Sequence, residues 1–238
     1  HLGPDAYIPV RFIEVTEPDL VNDIVKSTNR QTQITDEAFV ALDEFHKRLE
    51  KFFVAMSPPE GSKIFYERRR NQYQDYEITF KQVISLTALT KSFLACYLGE
   101  PHSTARYYGE LIDANKDRLF KEKHSLWPYY TSAAIFHHVD THWSLKSNPD
   151  KALRAYRYQL CYLFFLQFGH FPDLFSQKKM HTFCRRILDV VWDAAKFDER
   201  LEVCKDIVRT SLRGYPSGAT RNPPHRLRDF TRAITEEA

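Results

Sequence analysis

The sequence predicts a mainly α-helical protein: a short N-terminal α/β portion, the end of a small sheet domain, followed by a large multi-helix domain. Three observations predict it. Apolar residues recur at helical spacing almost throughout from Thr79 onward. Only seven of 238 residues are glycine, too few for a turn-dense all-β fold. The strand-like runs, AYIPVRFIEV and KIFYE, both lie before residue 76. With 43% hydrophobic and 14% aromatic residues the chain can fill a substantial core, which excludes disorder by composition. The organisation expected is 1–76 for the α/β portion and 77–238 for the helical domain.

Taken in order, residues 6–15 read as one strand, with Pro9 placing it at an edge or an early strand position. Thr16-Glu17-Pro18-Asp19 fits a capping box, opening a helix to about Ser27. The stretch STNRQTQI (27–34) interrupts it with three amides, Asn29, Gln31 and Gln33. Thr35 or Asp36 then caps a helix whose Phe39, Leu42, Phe45, Leu49, Phe52 and Phe53 share a face. SPPEGS (57–62) ends it. KIFYERRRNQY (63–73) reads as a short strand running into a basic loop. Helices are expected at about 79–98, 103–114, 116–122, 126–145, 149–168, 177–196, 198–212 and 223–236. Asn148-Pro149-Asp150 supplies a helix start, Gly169 a C-terminal cap, and 213–224 a long loop.

Charge is uneven. Residues 1–60 carry 6 basic and 11 acidic side chains, leaving 28 basic and 20 acidic for 61–238. A basic second part attracts polyanions without demanding nucleic acid. No glycine-rich phosphate loop or Walker pattern occurs. The four cysteines are scattered without a C-x-x-C pair, which points to buried free thiols in a reducing compartment. The longest apolar run, Leu160–Phe168, is far too short to span a membrane, and no signal peptide is visible. A chain that opens on His1 and enters strand-like residues at once reads as part of a longer protein.

Several constellations bear on function. In HHVDTH (137–142), His138 and His142 stand at i, i+4, the spacing of metal ligands on one helix face. The Glu of H-E-x-x-H is missing and aromatic residues surround the cluster, so packed structural histidines explain it better, and no metal or other cofactor is expected. His181 and Cys184, at i, i+3, lie among Phe183 and Ile187 and read as a packed face. No G-x-S-x-G elbow or Cys–His pairing marks a nucleophile, so a self-contained enzyme is not expected. Glu67-Arg68-Arg69-Arg70, with Tyr66, Asn71, Gln72 and Tyr73, combines guanidinium groups that clamp phosphates with side chains that stack on or bond to bases. The competing account is a solvated loop in which Glu67 pairs with an arginine. The amides of STNRQTQI divide in the same way, between reading a ligand and locking a turn, and turn locking is the better account.

In combination these motifs are diagnostic. VRFIEV, a helix ending in STNRQTQIT, then LEKFF, FYERRRNQY, a helix and YLGEPHSTA resemble the abortive infection phage resistance (AIPR) family. The matching positions are Thr28, Asn29, Gln31, Gln33, Leu49, Glu50, Phe65, Tyr66, Glu67, Arg68, Arg69, Gln72 and Tyr73, within roughly residues 8–140. The resemblance implies a bacterial, cytoplasmic role in antiviral defence. It also implies an upstream part that would carry any nuclease activity, and Arg70 and Asn71 fall where that family varies. The reading that follows is a nucleic-acid-directed sensing or binding region, with DNA or RNA as partner and no membrane. In it Arg68, Arg69 and Tyr73 make the contact while Asn29 and Gln31 orient the neighbouring loop. One alternative is a helical interaction module whose residues 126–168 pack on another subunit, in an oligomer, or on the missing N-terminal part. An exposed stripe of Tyr156, Tyr162 and Phe168 would favour it. The other alternative is part of a nuclease whose catalytic residues lie upstream, with Glu67 and the histidines as partial contributors.

Overall fold

The computed structural model describes residues 43–69, 71–142, 151–214 and 223–238. The strand expected at 6–15, the capping box at Thr16, STNRQTQI and the helix start at Asn148-Pro149 lie outside the described residues, as does most of the 213–224 loop.

Asp43 is extended, and its carboxylate accepts from the Phe45 N–H at 2.7 Å. Helix α1 (Glu44–Ala55) therefore begins there, and the cap expected at Thr35 or Asp36 lies outside the described residues. Phe45, His46, Leu49 and Phe53 face inward. The Lys63 ammonium then collects the carbonyls of Phe53, Val54 and Met56, which satisfies the orphan acceptors at the helix end and complements its dipole.

Strand β1 (Phe65–Glu67) pairs in parallel with β2 (Val83–Ser85), in the register Phe65 to Val83, Tyr66 to Ile84 and Glu67 to Ser85. The helix expected over 79–98 is thus corrected. Residues Phe80–Gln82 form a 3-10 turn, Val83–Ser85 a strand, and only Leu86–Leu98 the helix α2. Val83 and Ile84 are β-branched residues that fit the pleat. Ser85 caps α2 by accepting from the Ala88 N–H at 3.2 Å, and Gly99 ends it at φ +64°.

Pro101–Ala105 is a 3-10 helix and α3 runs Tyr108–Asn115, a shorter helix than the one expected at 103–114. The helix expected at 116–122 does not form. Phe120 sits at φ +50°, where a bulky residue cannot continue a helix, and its N–H donates to the Tyr129 hydroxyl at 2.8 Å. Helices α4 (Trp127–His142), α5 (Arg157–Leu166), α6 (Gln177–Val191), α7 (Ala194–Arg213) and α8 (Arg228–Glu236) follow. Residues Lys151–Tyr156 and Pro224–Arg226 are 3-10 rather than α-helical. The break between α6 and α7 falls at Asp193, whose carboxylate accepts from the Lys196 N–H at 3.2 Å. The C-terminal cap of α5 is Gln167 rather than the expected Gly169, which follows two residues on at φ +76° and donates its N–H to the Leu166 carbonyl at 3.0 Å.

The fold is mainly helical, with eight α-helices and one two-stranded parallel sheet among the described residues. Helices α2, α4 and α5 form the centre, where Phe93 stacks on Tyr129 at 4.2 Å and Tyr97 meets Phe165 at 4.5 Å. Phe45 and Phe53 of α1 reach Tyr129 and Tyr130, so described residues on both sides of residue 76 share this core. All four cysteines are buried free thiols, and burial pushes Cys184 to about 11 and Cys204 to about 12. No described helix is long and apolar enough to cross a membrane.

Truncating Phe93, which is fully buried, to Ala should cost about 3–5 kcal/mol of unfolding free energy in urea titrations. Phe80→Ala, at a ring 84% exposed, should stay within about 0.5 kcal/mol.

Candidate functional site

Alternation along β1 points Tyr66 into the core and turns Phe65 and Glu67 the other way. A buried hydroxyl needs a partner. Tyr66 finds His46 Nδ1 at 2.7 Å, while burial, reinforced by the Arg68 charge, holds the His46 imidazole down to about 3. The histidine is therefore neutral at physiological pH.

Beyond Glu67 the chain must cross back to start β2, and a bonded cluster shapes the first turn of that crossover. Gln72 Oε1 accepts from the backbone N–H groups of Arg68 and Arg69 at 3.1 and 3.2 Å. Its amide nitrogen donates to Glu50 Oε1, and Arg68 Nε donates to Glu50 Oε2 at 2.8 Å. One carboxylate on α1 thus holds both the side chain of Arg68 and the amide that folds the loop. The Arg68 side chain is only 10% exposed. Tyr73 donates its hydroxyl to the Tyr66 carbonyl at 3.2 Å and lays its ring 5.6 Å from Phe65. Burial, then the Glu50 and Glu67 charges, raises Tyr73 to about 12. Asn71 takes the left-handed conformation at φ +62°, which asparagine tolerates, and the Gln72 N–H closes the turn on the Arg69 carbonyl at 3.1 Å.

The structure therefore brings Glu67, Arg68, Arg69, Gln72 and Tyr73 together on one braced loop at the carboxyl end of β1. Arg69 points to solvent and has no carboxylate partner among the described residues, and Tyr76, 64% exposed, stands 5.9 Å from the Tyr73 ring. Asn29, Gln31, Gln33 and Arg70 lie outside the described residues. No ion pair joins Glu67 to Arg68 or Arg69 among the described residues, and the carboxylate that holds Arg68 is Glu50. The signal available for it was the Leu49-Glu50 pair, with Leu49 buried and Glu50 one helical step toward the surface.

The histidines do not converge. His138 packs 5.3 Å from Phe197, and burial, then the neighbouring His137, lowers it to about 4. His142 instead places Nε2 2.8 Å from the Lys205 ammonium and Nδ1 3.8 Å from Asp198. Among the described residues no group of three or more His, Cys, Asp or Glu could hold a metal. No hydrogen bond or ion pair there joins Glu67 to either histidine. His181 rests on Trp127 at 4.5 Å, and Cys184 pairs with the Tyr97 hydroxyl at 3.3 Å. Of the supposed interaction stripe, Tyr162 is buried and bonds Thr235 of α8 at 3.1 Å, Phe168 is buried beneath Arg200 of α7, and Tyr156 packs on Phe230. The chain covers that stripe itself.

A helical core with one short parallel strand pair, its crossover loop locked to the preceding helix by a Glu-Arg-Gln cluster, defines the class of protein. The family model described as AIPR protein matches residues 4–209, and the chain belongs to this abortive infection phage resistance family. The match reaches well past residue 140, where the recognisable motifs end. Membership implies a role in phage defence by abortive infection. No curated protein and no solved structure matches the chain.

Glu50→Ala leaves Arg68 and Gln72 without their acceptor and should cost about 1.5–3 kcal/mol, measured by urea unfolding, with Arg68→Met non-additive in the double variant. The neutral buried histidines also set a pH dependence. His46 and His138 titrate lower in the folded chain (about 3 and about 4) than their ordinary 6.5, so the unfolded chain takes up protons first as pH falls. Their contribution is complete above pH 6.5 and should decline between pH 6.5 and 5 by about 1.4 kcal/mol per pH unit for each histidine. Thermal melts of His138→Leu across this range should show a shallower decline than the unmodified chain.

Proposed function

We propose that this chain is the nucleic-acid-directed sensing or binding region of an anti-phage defence protein, and that the crossover loop after β1 makes the contact with DNA or RNA. The observation that carries the reading is the division of labour within the loop. Arg68 and Gln72 are committed to Glu50, and this leaves Arg69 presented on a rigid turn as a guanidinium without a carboxylate partner among the described residues. The Arg69 backbone is pinned through its N–H to Gln72, so a phosphate contact has only the side chain left to order. Ligands of parallel sheets gather outside the carboxyl ends of the strands, where this loop begins. Arg68 acts here as a positioning residue. Tyr73 braces the loop through its hydroxyl, and Tyr76 offers the exposed ring for stacking.

Fluorescence anisotropy with labelled single-stranded and duplex oligonucleotides at a series of salt concentrations tests it. Arg69→Ala should weaken binding and reduce the slope of log K against log salt by about 0.7–0.9, the loss of one phosphate contact. Unchanged affinity together with an unchanged slope would remove the loop from the interface.

A further inference from the structure

The face of α1 that carries Lys47, Arg48 and Lys51 forms one wall of an open groove of about 430 Å³, with Arg68 opposite. On the far side of Arg48 a second groove of about 550 Å³ is lined by Arg118, Lys121, Lys123 and His124, over an apolar floor of Leu98 and Leu174, with Phe175 at its edge. The two meet at a bond: Arg48 donates from NH2 to the carbonyl of Glu122, itself a lining residue of the second groove.

Ion-pair accounting shows which cations are available. Lys47 is neutralised by Glu44, Arg68 by Glu50, Arg118 by Glu100 and Lys121 by Asp117. Arg48, Lys51 and Lys123 have no carboxylate within ion-pair distance among the described residues. Arg48 and Lys51 line the first groove and Lys123 the second. Glu122 is the one acidic lining residue without a cation partner there, so cations outnumber it. Gln177 donates to the Lys123 carbonyl at 3.3 Å, bringing the first turn of α6, with exposed Lys178 and Lys179, beside the second groove. Phe175 is 52% exposed and is not a floppy ring. Its N–H donates to Asp173 at 2.9 Å and its ring meets His124 edge-on at 4.8 Å.

We infer that Arg48 joins these grooves into one cationic track that takes a single-stranded polynucleotide, with phosphates on Arg48, Lys51 and Lys123 and a base stacked on Phe175. A track of spaced cations ending on a fixed aromatic ring matches the alternation of phosphate and base along a single strand, whereas a duplex keeps its base faces inside. The inference rests on the proposed ligand class and extends the contact from the β1 crossover loop across α1 to the α6 side.

The test uses the whole chain with a fluorescein-labelled oligothymidylate and oligouridylate, in anisotropy titrations over a salt series. Lys51→Ala with Lys123→Ala should lower the salt slope by about 1.4, two single-strand phosphate contacts. Phe175→Ala should weaken binding roughly 5- to 150-fold and leave the slope unchanged, because it removes stacking and no charge. All three positions are exposed, and equal melting temperatures would confirm intact folding. If both variants bind like the unmodified chain, the track is overturned whatever Arg69→Ala does. If both lose binding while Arg69→Ala is silent, the track stands and the crossover-loop contact falls. Displacement of the probe by polyglutamate as effectively as by unlabelled oligothymidylate would make this an acidic-polypeptide surface and overturn it. So would tighter binding of duplex DNA, insensitive to Phe175→Ala.

Discussion

The hydroxyl of Tyr129 is the constraint on which the placement of the surfaces depends. Tyr129 is fully buried at the start of α4, between Phe45, Phe93 and Phe120. An unsatisfied hydroxyl there would cost its full desolvation, so its two bonds organise what lies around it. It accepts from the Phe120 N–H and shares a second hydrogen bond with His124 Nδ1 at 2.9 Å. Burial, then the Lys121 charge, lowers the His124 pKa, which favours the neutral ring. Phe120 is held in a left-handed conformation that bulky residues avoid, and the bond and the ring stacking offset that strain. The turn from 116 to 124 is thereby fixed against α4, and Arg48 of α1 can reach its Glu122 carbonyl. One tyrosine links α1 and α2 to the turn that precedes its own helix.

The cluster around Glu50 repeats this logic nearer the surface. A carboxylate that is only about one-fifth exposed is stable when paired, and here both of its oxygens are used. It also gives the family motif a physical meaning. Leu49 anchors the helix in the core, Glu50 receives Arg68 and Gln72, Tyr66 docks on His46, and Tyr73 closes the turn onto Tyr66. The spacing between LEKFF and FYERRRNQY is the spacing needed for a helix, a return and a strand to bring those groups into contact.

What the sequence made legible follows from which forces are local. Helical periodicity placed α4, α6, α7 and the end of α2 to within a few residues because burial of a helical face repeats every turn. It failed at 79–85, where Val83 and Ile84 pair with a strand that periodicity cannot see, and at 116–122, where the Tyr129 hydroxyl draws the Phe120 amide out of any helix. Both errors come from partners outside the helical repeat, eighteen residues away for β2 and nine for Phe120. The site showed the same split. Residues 67–73 were readable as a basic, amide-bearing loop, but the commitment of Arg68 to Glu50 was not, since that pairing spans eighteen residues and depends on the loop's return. His138 and His142 share a spacing yet not an environment: one meets Phe197, the other Lys205.

Net charge proved a poor guide to the surface for a related reason. Residues 61–238 carry a surplus of basic side chains, yet many of these serve the fold. Lys63 closes the end of α1, Lys205 is buried against His142 and Glu202, Arg186 donates to the Phe168 carbonyl at 2.6 Å, and Arg200 covers the Phe168 ring. Each removes a cation from what a polyanion would meet. What remains on and beside α1 without a carboxylate partner among the described residues is a smaller set: Lys51 on the helix, Arg69 on the loop locked to it, Lys123 on the turn bonded to it, and Arg48, exposed on the helix although it also meets the Glu122 carbonyl and the Phe45 ring. Two of these four lie in or near the acidic first quarter of the chain, where the composition argued least for them. A polyanion responds to cations that lack a partner, and folding decides which those are.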